Sequence, residues 1–150
     1  MAIDPRAKGA RGEGEVVKLL SEATGFKWIR TPQSGATNFA KGDVMLDLQS
    51  GKVSKYLVEV KLYADDQLNS NLLNPSISQV EKWLEQTERE AKQMNSLPML
   101  VFRKDRGKWL CAIQQKFDDL NYINLKKNNY NYHIYIFSEV LEKLKEEMTK

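Results

Sequence analysis

At 150 residues the chain is near the usual length of one domain and can bury a core without covalent staples. Hydrophobic residues make up 41% and charged residues 29%, which excludes disorder throughout. Cys111 is the sole cysteine and His133 the sole histidine. An internal disulfide, a Cys-rich zinc module and any mechanism built on a histidine pair are therefore excluded.

No stretch approaches the roughly 20 apolar residues that span a bilayer. The opening MAIDPRAKGARGEGE lacks the apolar core of a secretory signal, so a cytoplasmic protein is expected. The net charge of +3 is mild, but the basic residues are unevenly placed. Arg6, Lys8, Arg11, Lys18, Lys27, Arg30 and Lys41 face only Asp4, Glu13, Glu15 and Glu22 over the first part of the chain. That excess suits a polyanionic partner, although a solvated basic face reads the same way.

In chain order, a first helix is expected over residues 10–23, closed by Thr24-Gly25. The strand FKWIRT follows, then the turn-rich loop PQSGATNFAKG. DVMLDLQ and VSKYLVEVKL read as a β-hairpin turning at Ser50-Gly51-Lys52, and ADDQLNSNLLNPS as a loop. A long amphipathic helix is expected over residues 77–94, where Ser78 and Glu81 form a capping-box pattern. LPMLVFR, KWLCAI and NYHIYIF are further strands, and SEVLEKLKEEMTK is a closing helix capped by Ser138. The sum is one α/β domain over 1–150, a mixed sheet of about five strands flanked by helices.

The apolar strand SKYLVEVKLY carries Glu59 and Lys61 on one face, since side chains alternate along a strand. A three-residue loop at 50–52 would pair Gln49 with Val53 and, counting back, set Asp43 opposite Glu59. Two carboxylates there repel unless a hard divalent cation sits between them. On the first helix, Val16, Val17, Leu19, Leu20 and Ala23 form an apolar stripe, with Glu13 at its sheet-facing edge. Glu15 falls on the far side with Lys18 and Glu22, where water is available. An isolated Glu-x-Lys is ordinarily an exposed ion pair worth little. Its joint occurrence with Asp43 and Glu13 points instead to a site able to bind Mg²⁺ and hydrolyse a phosphodiester. Lys61 would orient or deprotonate the attacking water, or neutralise charge in the transition state.

Gly42-Asp43-Val44 followed by Val58-Glu59-Val60-Lys61 resembles the D…ExK core of the PD-(D/E)XK nuclease superfamily. KGARGEGEVVKLL and RTPQSGA look like the opening helix and loop of the archaeal-type Holliday junction resolvases within it. The resemblance implies a restriction-endonuclease-like fold. It also implies a Mg²⁺-dependent (Mn²⁺ possible) endodeoxyribonuclease that resolves four-way junctions by paired nicks as a homodimer. By the same resemblance Asp43, Glu59 and the Val60 carbonyl are metal ligands, Glu13 completes the site and Lys61 is the catalytic lysine. Ser34 would touch DNA near the scissile phosphate, and Arg6, Lys8, Arg11, Arg30 and Lys41 would hold backbone phosphates. An archaeal, bacterial or virus-infected cell is the implied setting. One departure is plain: Gly42 stands where the superfamily name has proline. Two alternatives stay open, a restriction- or repair-type nuclease on duplex DNA and an inert DNA-binding protein of the same fold. The clustered acids argue against the inert protein, because without metal they would repel a phosphate backbone.

Overall fold

The computed structural model describes residues 5–32, 41–63, 79–104, 107–127 and 130–150, with the backbone alone over 5–9. Helix α1 (Pro5–Thr24) opens on proline, whose missing N–H costs nothing in a first turn. It closes where Gly25, at φ 78°, donates its N–H to the Ser21 carbonyl. Val16 and Leu20 on its apolar stripe are fully buried, and Val17, Leu19 and Ala23 pack beside them. Removing Leu20 to Ala would cost about 2–5 kcal/mol, the usual range for a buried leucine. Thr24 Oγ1 also accepts from the Trp28 indole at 2.9 Å, which ties the helix end to the first strand.

Strands β1 (Trp28–Arg30), β2 (Val44–Leu46) and β3 (Tyr56–Tyr63) form an antiparallel set. Helix α2 (Gln79–Gln93) then crosses over to β4 (Leu97–Lys104), which lies parallel to β3. Strands β5 (Leu110–Ile113), β6 (Ile123–Lys127) and β7 (Tyr130–Ile136) extend the sheet, and α3 (Phe137–Leu144) follows. Sheet order is β1-β2-β3-β4-β5-β7-β6. The expected mixed sheet flanked by helices is present, with seven strands among the described residues rather than about five.

Each face of the sheet has its own core. Val58, Val60, Met99, Val101 and Cys111 pack under α1 and α3 with Val16, Leu20, Phe137 and Val140. Tyr63, Leu100, Phe102, Ala112 and Tyr132 pack under α2 with Val80 and Leu84. A strand covered on both faces reads as a continuous apolar run, and β3 does so apart from Glu59 and Lys61.

Three expectations differ locally. The tip of the β2–β3 hairpin is a short 3-10 turn over Leu48–Ser50, entered by Asp47 accepting from the Gln49 N–H and left by Gly51 at φ 72°. Strand β6 was not expected, because at the sheet edge only Leu125 of INLKK is buried and the alternation is faint. Helix α3 starts at Phe137 rather than after Ser138, with no side-chain cap at Ile136. The buried Phe137 sets that start, its N–H donating to the Trp109 carbonyl at 2.9 Å.

Candidate active site

Asp43 is held at three points. Its N–H donates to the Val58 carbonyl at 2.8 Å and its carbonyl accepts from the Thr31 N–H at 2.9 Å. Its carboxylate Oδ2 accepts from the Val60 N–H at 2.8 Å. Val44 is the residue paired with Val58, so Asp43 and Val44 both face Val58, in the manner of a bulge. The side chain thereby takes over the ladder where β2 has not yet begun. Gly42, at φ 86°, supplies the turn. A Cβ there would lie 3.0 Å from the Val58 carbonyl oxygen and 3.1 Å from Leu57 Cγ. Proline cannot reach that φ, so the departure at this position follows from the backbone path.

The bulge breaks the simple register counted from the sequence, yet the Asp43 carboxyl still reaches that of Glu59. Glu59 is only 3% exposed. Burial, then the Glu90 carboxyl against it, then the Asp43 charge hold its carboxyl far above the ordinary carboxylate range. Lys61 shares the Glu59 face of β3, half-buried. That face is the one α2 covers, since Tyr63 in the same alternation joins the core beneath α2.

Glu90 was not among the sequence-derived candidates. Val80, Leu84, Thr87 and Ala91 form the buried stripe of α2, and Glu90 lies on its flank, three residues after Thr87 and one before Ala91. Its Oε2 is buried without a hydrogen-bond partner. Helical spacing alone could have marked it as a sheet-facing acid.

Glu13 and Glu15 belong to α1, on the opposite face of the sheet. Glu13 Oε1 accepts from Arg30 Nε at 2.9 Å, with 14% of the Glu13 side chain exposed against 49% for Arg30. Gly12 brings the helix against β3, where a Cβ would meet Leu62 Cδ1 at 2.8 Å. Glu15 keeps 40% of its side chain exposed, as expected of a solvated residue, but it is also engaged. It pairs with Arg103 at 2.8 Å and accepts from the Trp109 indole at 3.2 Å, while the Arg103 guanidinium lies 4.7 Å from the Trp109 ring centre. The structure thus brings Asp43 and Glu59 together and ties Glu13 to Arg30.

Among the DNA-binding candidates, Arg11 is exposed on α1. Lys41 is half-buried beside Val44, Met45 and Leu57 around a mostly apolar hollow. Arg6 and Lys8 lie on α1, but their side chains, like the whole of Ser34, fall outside the described residues.

Among the described residues, no three acidic, histidine or cysteine side chains form a group placed to hold a metal ion. The donors present nonetheless suit a hard divalent cation: two adjoining carboxylates and an orphaned carboxylate oxygen on Glu90. A residue's N–H and C=O point the same way along a strand, so the Val60 carbonyl opens toward the side Asp43 occupies. Asp43, Glu59 and that carbonyl would hold such an ion.

A mixed sheet with an Asp at the start of one strand and Glu-x-Lys on the next defines a restriction-endonuclease-like nuclease core. The family model described as "Phage putative PDDEXK endonuclease" matches residues 4–149, and the chain belongs to that family of endonucleases. It is 53% identical over 116 residues to Protein D14 of Escherichia phage T5, covering 75% of this chain and 72% of that protein. Among solved structures it is similar to Archaeoglobus fulgidus Hjc, a Holliday junction resolvase from an archaeal hyperthermophile. That likeness, at 18% identity and a TM-score of 0.48 over 91% of this chain and 99% of the other, is too loose to inform the site. Among the described residues, no helix is long and apolar enough to cross a membrane.

Proposed function

We propose that the chain is a divalent-metal-dependent endodeoxyribonuclease that resolves four-way DNA junctions by paired nicks, as a homodimer of a single nuclease domain in the host-cell cytoplasm. The observation that carries the reading is the meeting of the Asp43 carboxyl with that of the buried Glu59, with Lys61 two residues on along the same face. Two carboxylates pressed together, one of them buried, are costly unless a cation or a proton joins them. Mg²⁺ or Mn²⁺, when bound, would polarise the phosphate and lower the pKa of an attacking water.

The protein's own groups do the rest. Asp43, fixed by the Val60 N–H, holds one side of the site, and Glu59 holds the other. Lys61 offers its ammonium to the scissile phosphate or to the water beside it, and Glu13, on α1 across the sheet, acts through the Arg30 that it holds. Arg30, Arg11, Arg6, Lys8, Lys41 and Ser34 contact backbone phosphates, which position a protein without reading sequence. Selectivity would then come from the shape of the junction.

The test is a cleavage assay comparing a four-way junction with linear duplex under competition, each with Mg²⁺ and with EDTA. Paired nicks in the junction that require Mg²⁺ support the proposal. Preferred cutting of linear duplex would reassign the enzyme to a restriction or repair role, and binding without cleavage to an inert DNA-binding one.

A further inference from the structure

We propose that Glu90 of α2 is a positioning residue of the metal site, acting through Glu59 on the cation that Asp43 and Glu59 hold; this rests on the nuclease reading above. Trp83 packs on Tyr63 with ring centres 5.8 Å apart, and the Glu90 carboxyl meets that of Glu59. Those two contacts align one flank of α2 with the face of β3 that carries Glu59, Lys61 and Tyr63. From Trp83 to Glu90 the helix rises about 10 Å, and from Tyr63 back to Glu59 the strand spans about 13 Å. The two elements therefore run antiparallel past one another over the length of the site.

Along that flank Glu90 is the residue whose charge reaches Glu59. Ionised carboxylates carry only acceptors, so neither can satisfy the other without a proton or a cation between them. The Glu90 Oε2 is buried and unpartnered, and so cannot turn to water for that role. Partners lying behind metal-binding carboxylates orient them, and their removal typically lowers metal affinity about 10–100-fold. Glu90 fits that position from the side of the sheet opposite α1, where sequence reasoning looked for the third acid.

The test is Mn²⁺ binding by the full-length protein, followed by titration calorimetry and by the Mn²⁺ electron paramagnetic resonance signal, with no DNA present. Glu90→Gln should weaken Mn²⁺ binding about tenfold while circular dichroism shows an intact fold. Glu85→Gln, the same charge change at an exposed position of α2, should leave it unchanged. Asp43→Asn and Glu59→Gln should weaken it further. If Glu90→Gln binds Mn²⁺ like the parent while Asp43→Asn and Glu59→Gln do not, Glu90 has no part in the site and the nuclease reading stands. If none of these variants alters binding, the metal site itself is misplaced, and the role of Glu90 falls with it. Should Glu90→Gln fail to fold, Glu90→Asp keeps the charge but withdraws it by one methylene; unchanged Mn²⁺ affinity there also overturns the role.

Discussion

The Asp43 carboxylate accepts a hydrogen bond from the Val60 N–H at 2.8 Å, so a side chain stands where a neighbouring strand would otherwise close the ladder. This single contact fixes one acid beside the Glu-x-Lys strand and makes the backbone of β3 part of the site.

Asp43→Asn and Glu59→Gln should each reduce junction cleavage by on the order of a hundredfold or more, since a metal-supported transition state loses several kcal/mol of stabilisation. Binding should persist or tighten, because a negative charge facing phosphates is removed. Single-turnover cleavage and gel-shift titration together check this. Full activity in either variant would exclude the assigned pair.

Gly42 is irreplaceable for a backbone reason. Its φ of 86° and the 3.0 Å approach of a would-be Cβ to the Val58 carbonyl leave no relaxed place for a side chain. Gly42→Ala should cost about 1–2 kcal/mol of stability. Gly42→Pro should cost more and displace Asp43, with loss of cleavage. Denaturant midpoints would show both effects, and unchanged stability in the proline variant would contradict the backbone path.

The pH dependence of stability carries the sign of Glu59. Its carboxyl is held above the ordinary value of 4.5 by burial first, then by Glu90 and Asp43. Once the pH exceeds that value the unfolded chain releases this proton while the folded chain keeps it. The unfolded state then binds fewer protons, so this group's contribution to stability falls as pH rises. In EDTA, Glu59→Gln should therefore gain stability over the parent, with the gain larger at about pH 8 than at about pH 5 by more than roughly 1 kcal/mol. Thermal melts at the two pH values measure it. Parallel pH profiles for parent and variant would mean that Glu59 ionises freely in the fold.

The Glu13–Arg30 pair makes a prediction about salt. Arg30→Ala should weaken junction binding and lower the slope of log affinity against log salt by nearly one, the value of one lost phosphate contact. Glu13→Gln releases the guanidinium from its counter-charge and should strengthen binding. Fluorescence anisotropy over a salt series distinguishes the two, and an unchanged slope in Arg30→Ala would place Arg30 away from the DNA.

Local chemistry made much of this protein legible in one dimension. The stripe of Val16 and Leu20, the alternation along β3 and the spacing from Asp43 to Glu59 depend on neighbours in sequence and on the fixed periods of helix and strand. The meeting of Asp43 and Glu59 was countable too, although it is reached through a bulge at Val58 and a 3-10 turn rather than by a plain three-residue loop. What sequence left undecided was which face of the sheet each helix would cover. That choice belongs to tertiary packing, because an amphipathic helix specifies that it buries a stripe but not which stripe of the sheet it meets. The structure sets α1 over Leu62, with Glu13 on Arg30 and Glu15 on Arg103, and sets α2 over Glu59. Thus Glu90, distant in the chain and unmarked by any motif, comes to lie against the buried acid, while the nearer acids of α1 hold arginines.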